Sequence, residues 1–346
     1  MNHPALKGGL LALLAAALFG ASTPLVQHWG QGLGPLTTAT LLYAGAAIVG
    51  GLLRQPVDRE AAIKRSDLRR LAVVAVFGAA LGPVALAWGL QRTSGTGASL
   101  MLTMEALFTA ILAWRLHGET MDRRIWLAML ILLTGGVLLV IDQGFKGSSQ
   151  LLGLLAVLVA TAAWGMDNTL SRALADRDPG QVVLLKAIFG ACITMSLAWA
   201  LSEPWPTSTA IVGLLAVGAT GYGLSLRFYL LAQRAFGAAR TGSVFAFAPF
   251  IGAALAFALG DRSAGWGLAL GGLLMLAGVI LHLAEDHAHE HEHTDMEHEH
   301  AHRHDDDHHD HVHDPMPAGP HSHWHRHGAA RHSHAHTPDI HHTHGH

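Results

Sequence analysis

The stretch from Thr93 to Glu119, TSGTGASLMLTMEALFTAILAWRLHGE, decides how the chain is read. It is apolar over a length that crosses a bilayer, carries one carboxylate, Glu105, near its middle, and ends in a charged cluster. A charged side chain at the centre of a spanning helix costs about 3 kcal/mol on insertion scales, so such residues face a bundle interior or a wet cavity and mark a transport path. The rest of the chain reads as a scaffold around that residue, followed by one long tail.

Apolar windows of about 20 residues fit a hydrocarbon core roughly 30 Å thick. They fall at 6 to 26, 35 to 53, 69 to 90, 96 to 116, 125 to 142, 151 to 171, 181 to 201, 210 to 231, 241 to 259 and 265 to 284. The expected fold class is therefore all-α integral membrane, with ten transmembrane helices joined by short loops. Composition agrees, with 51% hydrophobic and 14% charged residues. The apolar run near the N-terminus continues through Phe19, Gly20 and Pro24 without a small-residue cleavage site, so it reads as the first span rather than a signal peptide. Cys192 is the single cysteine, which excludes an intrachain disulfide and thiol metal sites; it reads as a small core residue.

The net charge of −3 averages two unlike parts. Residues 286–346 hold 23 of the 27 His, 12 of the 25 acidic residues and 3 of the 22 Lys and Arg, a formal −9, which leaves +6 for residues 1–285. Within the apolar part, the basic residues sit in alternate loops. Arg54, Arg59, Lys64, Arg65, Arg69 and Arg70 follow the second span, Arg115, Arg123 and Arg124 the fourth, Arg172 and Arg177 the sixth, Arg234 and Arg240 the eighth. The other loops carry only Arg92, Lys146 and Arg262. By the positive-inside rule both termini are cytoplasmic.

The chain also repeats itself. A shift of 145 places Gly8, Phe19, Gly20 and Leu25 on Gly153, Trp164, Gly165 and Leu170, and a shift of 142 places Gln91, Arg92 and Gly95 on Gln233, Arg234 and Gly237. Each half holds five helices. Because five is odd, the second copy enters the membrane inverted, the plan of secondary transporters with a site near the midplane between halves. The division is 1–145 for the first repeat, 146–285 for the second and 286–346 for the tail.

These residues resemble the drug/metabolite transporter superfamily, and within it the EamA type, whose members are similar to two fused five-helix repeats. The resemblance covers roughly 6 to 284. It rests on Phe19-Gly20 and Trp164-Gly165, on the Thr93–Glu119 stretch, and on its partner AFGAARTGSVFAFAPFIGAALAFALGD around the ninth span. It implies a multi-pass protein of the bacterial cytoplasmic membrane that moves a small solute and is not an enzyme. That family often has a proline in the middle of helices 4 and 9. Pro249 keeps it in helix 9 as an expected hinge, whereas helix 4 has Ala106 beside Glu105, so helix 4 is expected to be the straighter of the two.

No phosphate-binding Gly-Lys-Ser/Thr loop or G-x-S-x-G occurs, so direct ATP coupling within the chain is not expected and no cofactor is required. Glu105 is the leading candidate for coupling or substrate binding, because a desolvated carboxyl there can trade a proton for a cationic substrate. Asp167 and Asn168 lie in helix 6 where the first repeat has Ser22 and Thr23, and Lys186, at the start of helix 7, is placed to pair with Asp167. That pair reads equally well as structural. Tyr43, Trp88, Trp164 and Tyr222 are candidate lining residues, although aromatic residues in membrane helices more often pack or anchor. Arg227 is expected to snorkel. Gly78 to Gly82 and Gly267 to Gly271 have GxxxG spacing, which favours close helix approach rather than catalysis; a homodimer is a separate candidate assembly.

The tail cannot bury a core and is expected to be disordered without metal. His residues interspersed with carboxylates are ligands for Zn, Ni, Co or Cu ions. The candidate ligands are His287, His289, His291, His293, His298, His300, His302, His304, His308, His309, His311, His313, His321, His323, His325 and His327. The expected partners are the lipid bilayer and a small solute or metal ion, with no nucleic acid. The expectation is an exporter that leans to a divalent transition metal, Ni, Co or Zn, gathered by the tail in the cytoplasm. An exporter of a small organic metabolite or amino acid with a regulatory tail is the alternative. A non-transporting membrane metal sensor or buffer is the third reading.

Overall fold

The computed structural model describes residues 3–55, 61–117, 121, 123–171, 174, 177–236, 238–263 and 265–283, and in the tail 288–293, 296–302, 321–327 and 330–335. All ten expected spans are helical. The continuous ones are α1 (His3–Trp29), α2 (Pro35–Leu52), α5 (Arg123–Lys146), α6 (Ser148–Ser171), α7 (Pro179–Ala200) and α10 (Trp266–Leu283). Among the described residues, nine spans are long and apolar enough to cross a membrane, and α10 contributes a shorter apolar helix, Trp266–Leu281.

The other four helices are irregular, in symmetric pairs. α3 is α-helical over Leu68–Ala75, π over Val76–Leu81 and α-helical again over Gly82–Leu90; α8 follows the same order over Ser208–Val217, Gly218–Leu224 and Ser225–Phe236. Pro83 has no N–H for the carbonyl of residue 79, and the wider π turn accommodates that loss. In α8 the matching position is Ser225, whose hydroxyl donates to the carbonyl of Ala15 on α1 at 2.8 Å.

α4 (Gly95–Met101 and Met104–His117) and α9 (Ala238–Phe245 and Ala248–Ala258) are each broken by two residues. This corrects the expectation that helix 4 is the straighter one. The break at Leu102 and Thr103 needs no proline, because the Thr103 hydroxyl donates to the Leu100 carbonyl at 2.8 Å, and the backbone there switches to three-residue bonds such as Glu105 N to Leu102 O at 3.1 Å. Pro249 sits in the first turn of the second half of α9, where its missing N–H costs no helix bond.

The helix neighbours exchange between halves. α1 packs on α8 and α9, and α6 packs on their counterparts α3 and α4; α2 pairs with α7, α4 with α9 and α5 with α10. This is what an inverted repeat requires. The two aromatic-glycine signatures have a physical reason in this arrangement. A side chain at Gly20 would strike the backbone at Ala248 on α9, and one at Gly165 would meet Phe108 and Thr109 on α4. Both glycines let a first-position helix lie directly on the broken helix of the other half. Cys192, expected in the core, is exposed on the outer side of α7.

Carboxylates tie the halves together at the ends of helices. Glu203, after α7, accepts from Leu36 N at 3.2 Å and Thr37 N at 2.7 Å at the start of α2, and Asp261, after α9, accepts from Thr96 N at 2.8 Å at the start of α4. Burial pulls against ionisation of Asp261, but hydrogen bonds from Ser263 and Thr96 outweigh it and hold the carboxyl below its usual range. A carboxyl lowered in the fold contributes stability above its unfolded value, near 3.9, and loses it as pH falls through the folded value. Asp261→Ala should therefore cost about 1 kcal/mol near neutral pH and progressively less below about pH 4. Thermal unfolding in detergent at several pH values checks this; a constant difference down to the most acid point would refute it.

In the tail, four short segments are described. Ala288–His293 pairs antiparallel with Ala330–Ala335, and Met296–His302 with His321–His327, as two separate two-stranded ladders. Alternation of His with other residues has the period of a strand.

Candidate functional site

The π segment of α3 turns the Gly78 carbonyl away from the helix ladder and toward two donors. Tyr43 on α2 donates its hydroxyl to it at 2.5 Å, and Trp164 on α6 donates its indole N–H at 3.0 Å. The missing side chain at Gly78 leaves the space that the Asp167 carboxylate fills. Asp167 and Lys186 are each 5% exposed, and the ammonium donates to Asp167 Oδ2 at 2.5 Å. The ion pair read from the sequence is formed. Lys186 lies two turns inside α7 rather than at its start. Ser171, one turn further along α6, donates to the second oxygen of Asp167 at 3.2 Å.

Asn168 follows Asp167 on α6 and donates its amide to Glu105 Oε1 at 2.6 Å. Glu105 is half-buried, in the first turn after the break in α4, whereas Asn168 is exposed. The three acidic and basic groups thus divide into a closed pair and a single open carboxylate. Lys186 answers Asp167, and among the described residues the hydrogen-bond partner of Glu105 is a neutral amide.

An aromatic cluster packs beside these groups. Phe19 on α1 meets Trp164 at 5.7 Å between ring centroids, Tyr222 on α8 at 6.0 Å and Phe245 on α9 at 5.4 Å; Tyr43 meets Tyr222 at 5.6 Å and Tyr229 meets Phe245 at 4.9 Å. Tyr43, Trp164 and Tyr222 are therefore brought together. Trp88 is not among them, since it lies under the guanidinium of Arg92, 3.7 Å from its ring centre. Phe19, Phe245 and Tyr229 join this cluster and were not singled out by the sequence, although Phe19 is the repeat partner of Trp164 and Phe245 is the last residue before the break in α9. Arg227 is half-buried, and its Nη1 is enclosed with no hydrogen-bond partner among the described residues, so it does not snorkel freely.

Among the described residues no three His, Cys, Asp or Glu converge on a point able to hold a metal ion. In the tail, the register sets His289 against His334, His291 against His332, His298 against His325, His300 against His323 and His302 against His321. His293 faces Ala330 and His327 faces Met296. The candidate ligands His287, His304, His308, His309, His311 and His313 lie outside the described residues.

Two segments of the chain, residues 6–141 and 151–284, match the EamA-like transporter family. An uncharacterized transporter of Methanothermobacter thermautotrophicus is 25% identical over 294 residues, covering 80% of this chain and 86% of the relative. A solved crystal structure of a protein superposes with a TM-score of 0.57 at 19% identity, over 80% of this chain and 96% of the other, a likeness of fold.

Proposed function

The chain belongs to the EamA-like transporter family, and we propose that it is a secondary exporter exchanging protons for a cationic solute at Glu105. The observation that carries this reading is the partner of that carboxylate. Glu105 lies beside a break in a spanning helix and is held by the Asn168 amide at 2.6 Å, while the neighbouring ammonium is committed to Asp167. A carboxylate without a resident cation can accept a proton or a cation from the crevice, which is the minimum requirement of an exchanger.

The favoured cargo is a divalent transition metal ion, Ni, Co or Zn. The bundle offers it one carboxylate and one amide, a weak site suited to release, and the His and carboxylate tail supplies the ligands for capture. By the charge of the loops, the tail and both termini face the cytoplasm of a bacterial inner membrane. A second reading, export of an amine-bearing organic solute, is favoured by the cluster of Phe19, Trp164, Tyr222 and Phe245, because aromatic faces attract organic cations.

Inverted vesicles separate the two. Uptake of Ni²⁺, Co²⁺ and Zn²⁺ is expected to depend on an imposed proton gradient, and amino-acid uptake independent of metal would overturn the metal reading. Truncation after residue 285 should leave transport intact at high metal load and reduce it several-fold at low load, since the tail acts as an added capture site. Loss of metal transport at every load would remove the bundle as the transporting part.

A further inference from the structure

A polar cavity with neither Glu105 nor Asp167 in its lining lies at the end of the bundle where α1 finishes. It has a volume of about 500 Å³ and sits between the end of α1, the connection from α3 to α4 and the start of α6. Its polar lining includes Gln27, Gln31, Gln91, Arg92, Thr93 and Gln150, with no carboxylate among the lining residues. That size falls within the range of small-molecule sites.

The lining is fixed from behind. Gln27 donates its amide to the carbonyls of Leu90 at 2.9 Å and Thr93 at 3.0 Å, and Gln91 donates to Leu33 at 2.7 Å. Arg92 donates from Nη1 to the Trp88 carbonyl at 2.9 Å and lies over the Trp88 ring, so its charge is held in place by its own helix. Thr93 is 6% exposed, with its hydroxyl enclosed behind the lining. Gln150 lies in the first turn of the 24-residue α6, whose N-terminal end carries partial positive charge. Asp261 already answers the start of α4 from outside this lining. The unanswered field therefore comes from Arg92 and α6.

We propose that this cavity binds a small carboxylate-bearing solute, with Arg92 pairing its charge and the start of α6 donating hydrogen bonds. A divalent cation would meet a guanidinium there and no acid. The site is distinct from Glu105, and the proposal does not rest on the nature of the transported cargo.

Calorimetric titration of the full chain in detergent, treated with chelator at pH 8 to keep the tail imidazoles neutral, tests it. Acetate and succinate are expected to bind, and uncharged acetamide to bind at least about tenfold more weakly. Arg92→Gln should lower carboxylate affinity by about tenfold or more, with Arg92→Lys intermediate because it keeps the charge and loses the fork. Gln150→Glu places a like charge in the cavity without touching Arg92 and should abolish binding, whereas Glu105→Gln should leave it unchanged. Absence of acetate binding, equal binding of acetamide, or unchanged affinity in Arg92→Gln overturns the proposal. Inorganic phosphate binding more tightly than acetate overturns the assignment to a carboxylate, and loss of binding in Glu105→Gln returns the effect to the crevice.

Discussion

Glu105→Gln should abolish the dependence of transport on the proton gradient while the protein still folds and inserts. Glutamine keeps the length of the side chain and an acceptor for the Asn168 amide, now 2.6 Å from Glu105 Oε1, but it cannot lose a proton. Exchange requires one group that holds either the proton or the cation, and the geometry leaves Glu105 in that position because Lys186 is already paired. The expected result is proton-driven uptake in inverted vesicles at background, a loss of at least about a hundredfold if deprotonation is obligatory, since nearly 3 kcal/mol of charge-specific binding disappears with it. Glu105→Asp should recover part of the rate, because the charge survives at a shorter reach. Asn168→Ala should lower affinity and keep the gradient dependence. Unchanged coupling in Glu105→Gln would take that residue out of the mechanism, and loss of the folded protein in Asn168→Ala would make the amide a packing element.

Much of this arrangement was legible in the sequence, for reasons that differ by residue. The ten spans follow from apolar length, and the inverted halves follow from five helices per repeat together with the correspondence of Phe19-Gly20 and Trp164-Gly165. Glu105 and Asp167 stand out because charge is rare at such depth. The pairing of Asp167 with Lys186 was foreseeable from their place on adjacent helices of one half. The breaks in α4 and the π segments of α3 and α8 were not, because they depend on where single hydroxyls and carbonyls find partners, as at Thr103 and Gly78, and residue type alone does not disclose that. The aromatic cluster was half legible. Tyr43, Trp164 and Tyr222 look like isolated packing residues, and Phe19 and Phe245 join them in one cluster only when α1 and α9 are laid together. Symmetry sharpens the reading of the charges. Asp167 stands opposite Ser22 in the first repeat, Lys186 opposite Leu41 and Glu105 opposite the neighbourhood of Ala248 and Pro249, so each of these charged groups lacks a charged counterpart in the other half.

The Asp167 and Lys186 pair should carry the largest stability effect in the bundle. Both groups are 5% exposed, and both are desolvated by α2, α3, α6 and α7. Lys186→Met leaves the Asp167 carboxylate buried without its cation and should destabilise the protein by roughly 3–5 kcal/mol, because the desolvation of the remaining charge is no longer offset. Asp167→Asn leaves the ammonium in the same position and should cost about as much. The double variant Asp167→Asn/Lys186→Met removes both charges at similar volume, and such neutral replacements of a buried pair are often close to neutral in stability. Its thermal midpoint in detergent should therefore return near that of the wild type. The cycle also separates a structural role from a transport role. If the pair holds α6 so that Asn168 reaches Glu105, the double variant regains both stability and proton-driven transport. A double variant that folds like the wild type yet transports nothing would show that the pair itself takes part in the exchange. One that stays as unstable as the single variants would mean that the hydrogen bond between the two side chains, and not their charge alone, supports the helices.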